Sequence, residues 1–292
     1  IVFEDVDLSD THSVAVDSVI AVLSRNGVGV DTVDTPIGFA IDKFLHSSEF
    51  LVQVANDSTG TGSGVLGWSL GVTDGVVDFL SEGEVLEVDY VVSVSGVEDG
   101  LSDTATVRVR LVGGDDLFSV VSGVDTASVS FTEGQGSGIL VADGHFFVED
   151  LDLSAGVAAT GVPSGGLLGD FALTSNGRIT ESPTLSDFVW SYDVDAQKLE
   201  FLAEGESLEE AFSLTFSDAS GNTFEEAVVV TLLGVNDTPT IVLEVSDFAA
   251  DVYELPDPSI KGSDHTHQLQ GVVAFDDVDL RDVHSDRKST RL

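Results

Sequence analysis

The chain has no cysteine, so disulfides cannot stiffen it and thiol chemistry is excluded. It has no methionine either, not even at position 1, and carries no signal-peptide pattern; it reads as an internal stretch of a longer protein. Basic residues are scarce, 11 Lys and Arg against 52 Asp and Glu, for a formal charge of −41. A duplex or an anionic membrane surface repels such a chain, which argues against nucleic-acid and lipid-surface partners. No apolar run approaches the ~18 residues of a spanning helix, so no membrane insertion is expected in this segment. Helical periodicity is weak, with Ser13 to Leu23 the one ambiguous run.

What is present is apolar content of 42 %, ample for real cores, with acids interspersed among Val, Leu and Phe rather than blocked into a disordered tail. The acids suit either a salt-adapted soluble surface or a set of cation ligands. Length allows about two domains at roughly 100–200 residues each. Val88 to Val94, Thr104 to Leu111 and Ala211 to Ser217 alternate apolar and polar with period two, the pattern of strands half-buried on one face. Short strands separated by Gly-rich turns predict an all-β protein of tandem Ig-like Greek-key β-sandwich modules.

The sequence repeats. Trp68-Ser-Leu and Val77-Asp-Phe-Leu-Ser-Glu-Gly-Glu84 return as Trp190-Ser-Tyr and Leu199-Glu-Phe-Leu-Ala-Glu-Gly-Glu206, with Trp68 and Trp190 122 residues apart. Leu111-Val-Gly-Gly-Asp-Asp116 stands against Leu232-Leu-Gly-Val-Asn-Asp237. A second signature occurs three times: Asp5-Val-Asp7-Leu-Ser-Asp10-Thr-His12, Asp150-Leu-Asp152-Leu and Asp277-Val-Asp279-Leu-Arg-Asp282-Val-His284. These repeats divide the chain into module 1 (1–116, N-terminally truncated), a complete module 2 (117–237), the start of module 3 (238–285) and a tail, 286–292. The tail Asp286 to Leu292 resembles translated sequencing adapter and is read as non-native. From Asp7 to Trp68 is 61 residues, but from Asp152 to Trp190 only 38. The Gly- and Ser-rich stretch Asp57 to Gly64 is the expected place for much of the excess.

The joint reads Gly234-Val-Asn-Asp-Thr-Pro239. Pro239 has no N–H to give to a sheet and pushes its predecessor toward extended geometry, as suits a strand leaving one module for the next. Together, the Asp-x-Asp-Leu, Glu-Gly-Glu and Asn-Asp-Thr-Pro motifs resemble VCBS-type, cadherin-like repeats of large RTX-type bacterial adhesins, over essentially all of 1–285. The resemblance implies extracellular, calcium-binding sandwiches used in tandem. The first joint departs from it: Gly113-Gly-Asp-Asp116 lacks both Asn and Pro.

Sandwich topology sorts the acids by end. If the strand ending at Leu233 is the last of its module and runs toward the joint, the strand before it runs away, and Glu204-Gly-Glu206 lies at the joint. The turn after the module's first strand brings Glu133 to the same end. Asp277 and Asp279 open the facing end of module 3, and Asn236 and Asp237 lie between. Oxygen donors from two modules thus converge, which suits Ca²⁺, a hard cation taking six to eight oxygens. By the same logic the first joint uses Glu82, Glu84, Asp115, Asp116, Asp150 and Asp152, while Asp5 and Asp7 serve a further joint N-terminal to module 1. His12 and His284 are expected to hydrogen-bond in loops. His265 and His267 fall in a loop where a solvated role outweighs transition-metal binding. Trp68 and Trp190 are expected in the cores.

Gly67-Trp-Ser69-Leu-Gly71 matches the Gly-x-Ser-x-Gly elbow, but no helix follows and the repeat copy lacks the glycines. Paired carboxylates can hydrolyse glycosides, yet their recurrence in every module fits structure better. The expected role is therefore not enzymatic. It is a calcium-stiffened extender in a secreted or cell-surface bacterial adhesin, active in cell adhesion and biofilm. Its partners are the neighbouring modules of the same chain and, through distal domains, host or biofilm surfaces. The alternatives are modules that themselves bind a glycan or host protein, and accessory modules of a secreted hydrolase.

Overall fold

A computed structural model describes residues 1–121, 127–164, 168–180, 182–254, 256 and 266–285; His265 and the tail 286–292 lie outside them. The architecture is all-β, in sandwich modules. Module 1 contains β1 (Val2–Glu4), β2 (His12–Arg25), β3 (Val28–Gly29), α1 (Pro36–Ser47), β4 (Glu49–Asn56), β5 (Ser63–Gly71), β6 (Glu84–Gly96) and β7 (Ser102–Val112). One sheet has the order β1-β5-β4, the other β3-β2-β6-β7. The period-two pattern of β6 does what it promises: Leu86, Val88, Tyr90 and Val92 point into the core, where they meet Leu23, Phe44 and Phe79.

Module 2 contains β8 (Ser119–Val120), β9 (Ser128–Thr132), β10 (Ile139–Glu149), β11 (Ala158–Ser164), β12 (Asp170–Ile179), β13 (Ser182–Asp195), β14 (Ser207–Ser217) and β15 (Thr223–Leu233). Its sheets run β12-β13-β10-β8 and β11-β14-β15-β9. Phe146, Phe188, Trp190, Tyr192, Phe212 and Phe216 fill the space between them. In module 3, β16 (Thr240–Val242) and β17 (Ala274–Asp276) form an antiparallel pair. The ambiguous run Ser13 to Leu23 is strand, inside β2.

Three expectations need correction. The extra length of module 1 does not sit mainly at Asp57 to Gly64, which spans only the turn between β4 and β5 and the start of β5. It lies between β2 and β4, where β2 is 14 residues against 7 in its counterpart β11 and a hairpin and α1 follow. Helix α1 escaped notice because it is short, but its signals are local. The Thr35 hydroxyl accepts from the Gly38 N–H at 3.1 Å, Pro36 opens the first turn, and Ile37, Ile41 and Phe44 form the buried stripe. Finally, Trp190 is fully buried but Trp68 is 47 % exposed. Trp190 crosses Gly144 on β10, where a Cβ would stand 2.6 Å from the indole nitrogen. The register of β1 with β5 runs from Glu4–Ser63 to Val2–Val65, so the strand position that would face Trp68, as Gly144 faces Trp190, falls before Ile1.

Candidate metal centres between modules

Each Asp-x-Asp-Leu copy folds as the same turn. The first carboxylate accepts the backbone N–H two residues on: Asp5 from Asp7 at 2.8 Å, Asp150 from Asp152 at 3.1 Å, Asp277 from Asp279 at 3.1 Å. The carbonyl of the second Asp then accepts from the residue three further on, Asp10, Ala155 or Asp282. In modules 2 and 3 this holds the second carboxylate, Asp152 or Asp279, at the rim against the preceding module.

Two bonds from backbone N–H groups, one to a carboxylate and one to a carbonyl, cross each joint in the same way. At joint 2, between modules 2 and 3, Asp237 N–H donates to Asp279 Oδ2 at 2.7 Å, and Leu280 N–H to the Phe201 carbonyl at 3.3 Å. At joint 1, Asp116 N–H donates to Asp152 Oδ2 at 3.0 Å, and Leu153 N–H to the Phe79 carbonyl at 3.4 Å. The glycine of each joint is required by close approach. A Cβ on Gly234 would stand 2.2 Å from the Leu202 carbonyl oxygen, and one on Gly113 would stand 2.2 Å from that of Ser81.

Carboxylates gather around these crossings. Oxygens of Glu133, Glu200 and Asp237 lie within 4.8 Å of one another. The chain end of β9 runs parallel to β15, so Glu133 arrives beside the joint, where its Oε2 accepts from Val235 N–H at 2.9 Å. Glu133, Asp152 and Asp279 are buried. Glu133 Oε1, Asp152 Oδ1, Asp237 Oδ2 and Asp279 Oδ1 are buried acceptors without a hydrogen-bond donor. Burying an ionised oxygen with nothing to satisfy it is costly, and either a proton or a bound cation removes the cost. The electrostatics agree. Burial raises the Glu133 pKa, and Asp237, Glu200 and Asp279 add to it against the Val235 N–H. Burial, with Asp150, Asp116 and Asp115 adding, pushes Asp152 up to about 6 despite the bond from Asp116. Asp150 and Asp116 also rise, chiefly through burial.

The remaining expected ligands divide. Glu84 is fully buried, but both oxygens are engaged: Oε1 takes Arg25 Nε and Nη2 at 3.0 and 2.7 Å, Oε2 the Ser81 N–H at 3.1 Å. Glu206 pairs with Arg281 across joint 2 at 3.0 Å and accepts from Ala203 N–H. Glu82 and Glu204 are exposed, because each precedes a positive-φ glycine, Gly83 or Gly205, that turns the chain outward; neither belongs to the cluster. Asn236 is also exposed, its amide turned onto the Asp237 carbonyl. Asp115 is tied across joint 1 through Asn222, which bonds Asp115 Oδ2 at 2.8 Å and Asp218 Oδ2 at 2.7 Å. Asp5 is bonded by His12 Nε2 at 2.9 Å, while His12 Nδ1 meets Asp57 at 2.7 Å. His284 bonds Asp277 at 2.8 Å, and in module 2 Arg178 stands beside Asp150 instead.

Sequence reasoning missed Glu200 and its counterpart Asp78, although both lie inside the repeat, just before Phe201 and Phe79. It also missed Asp10 and Asp99, whose oxygens lie with that of the expected ligand Asp7 within 4.8 Å of one another at the far end of module 1. Asp99 comes from the turn between β6 and β7, which only the folded hairpin brings near the Asp-x-Asp turn. Ser69 lies within β5, with no strand-to-helix elbow around it.

No family model matches the sequence, and no curated protein matches it. Among solved structures, the cadherin-like domains 1 to 4 of zebrafish RET are 12 % identical, with 65 % of this chain and 42 % of that one covered at a TM-score of 0.30. Human CDH23 EC21-23 is 15 % identical, with 94 % and 70 % covered at 0.31. The adhesive subunit CfaE of enterotoxigenic Escherichia coli CFA/I fimbria is 10 % identical, with 59 % and 63 % covered at 0.34. The chain spans under half the length of the RET structure. At these scores the likenesses carry no argument; the architecture rests on the sheets described above.

Proposed function

We propose that the chain is a run of spacer modules from a secreted or cell-surface adhesion protein, stiffened at its joints by Ca²⁺. The observation that carries this reading is the meeting at joint 2 of buried carboxylate oxygens without donors from two modules, Glu133 and Asp237 of one and Asp279 of the next, with Asp152 in the equivalent place at joint 1. At joint 2 the holders are Glu133, Glu200, Asp237 and Asp279; at joint 1 they are Asp78, Asp116 and Asp152, with Asp150 behind them. The donors are all oxygen, without Cys and with histidines serving as hydrogen-bond partners, which favours a hard cation over zinc or copper. Bound there, the ion neutralises acids that otherwise repel and links two modules through one coordination shell. The role is mechanical rather than catalytic, and tandem modules need contact only their neighbours. The VCBS-like and RTX-like motifs of the sequence support a bacterial origin and a part in adhesion and biofilm.

Calcium titration followed by small-angle scattering tests this. Saturable binding, with a shorter and broader distance distribution in EGTA, is expected; unchanged dimensions with and without Ca²⁺ overturn it.

A further inference from the structure

We propose that the insertion between β2 and β4 is a clamp that fixes joint 1 by apolar packing, so that loss of cations bends the chain at joint 2 and not at joint 1. The inference rests on the joints being cation-held. Module 2 has only residues 165–169 between the corresponding strands β11 and β12, and joint 2 has no such element among the described residues.

The insertion touches joint 1 from two sides. Its hairpin lies on the Glu82-Gly83-Glu84 turn. There Asn26 N–H donates to the Gly83 carbonyl at 3.0 Å, and Arg25, at the end of the lengthened β2, neutralises Glu84 from within the same module. The corresponding Glu206 relies on Arg281 from the next module, a residue 82 % exposed in its side chain. On the other side, α1 supplies Ile37, Ile41 and Phe44 to the module 1 core, and Phe39, 67 % exposed, lines with Ala40 an open cleft of about 350 Å³ whose other wall is Leu151, Leu153 and Pro183 of module 2. Leu153 packs against the core of module 1, whereas Leu280, at the same place in the motif of module 3, is 76 % exposed. Apolar contact does not depend on the ion, while the carboxylate clusters do.

The absence of native cysteine makes site-directed spin labelling direct. One label pair, S102C with S213C, spans joint 1; another, S213C with T240C, spans joint 2. In Ca²⁺ both distance distributions are expected to be narrow. In EGTA the joint 2 distribution broadens and the joint 1 distribution keeps its width. Phe39→Ser, at an exposed position, and Leu153→Ala, on the opposite wall, each make joint 1 broaden in EGTA, with a thermal melt in Ca²⁺ confirming that module 1 remains folded. The proposal is overturned if wild-type joint 1 broadens in EGTA as far as joint 2, or if joint 1 stays narrow in both variants. A joint 2 that ignores EGTA while the variants still loosen joint 1 refutes the cation reading and upholds the clamp.

Discussion

At the scale of single residues, each joint holds carboxylates shielded from water, Glu133 and Asp279 at joint 2 and Asp150 and Asp152 at joint 1. Glu133→Gln keeps the Val235 N–H acceptor but removes a charge from the cluster. It should weaken calcium binding at joint 2 by about tenfold or more, roughly 1.4 kcal/mol, in a calorimetric titration. Proton binding gives a second handle. The Asp152 pKa in the folded, ion-free chain stands at about 6 against the ordinary 3.8, and those of Glu133, Asp150 and Asp116 move the same way. Between these values the folded chain binds more protons than the unfolded one, so its stability rises as pH falls. His12 acts in the same sense: burial opposes its charge, but hydrogen bonds to Asp57 and Asp5 outweigh that and raise its pKa. The chelated protein should therefore melt higher near pH 5 than near pH 7. A melting point that falls on acidification through that window contradicts the assignment. With Ca²⁺ present the gain should vanish, since protons and the ion compete for the same oxygens.

At the scale of elements, strands were legible and their neighbours were not. Period two identified β6, β7 and β14 because each buries one face. Helix α1 was hidden because twelve residues carry only three buried positions in a sequence dominated by strands. Trp68 and Trp190 occupy the same place in the repeat, but the position that covers Trp190, Gly144 on β10, has its module 1 counterpart before Ile1. The carboxylates of the Asp-x-Asp turns were found because the turn is local; Asp99 and Glu200 needed the folded hairpin and the end of the sheet to bring them in. The joint glycines were visible as repeats, but their reason is structural. Gly234→Ala should lower stability by about 1–3 kcal/mol, because a Cβ would be driven into the Leu202 and Ala203 carbonyl oxygens, 2.2 and 2.4 Å away. Circular dichroism melts check this; an unshifted transition would mean that the turn relaxes freely.

At the scale of the whole molecule, a charge of −41 leaves long-range repulsion that the joints alone do not cancel. Monovalent salt shortens the reach of such fields to about 8–10 Å at physiological strength, so chelated protein should recover part of its melting temperature as sodium chloride is added, while the calcium-loaded form responds less. A salt-independent melt in EGTA would show that the acids are already balanced locally. The parallel pairing of β9 with β15, from Ser128–Val229 to Thr132–Leu233, has a consequence for load. These strands lie near the two ends of module 2, so tension along the row draws them in opposite directions along their common axis. The hydrogen bonds between them are then sheared together rather than opened one by one, so single-molecule pulling on the chain should show module 2 yielding late and abruptly.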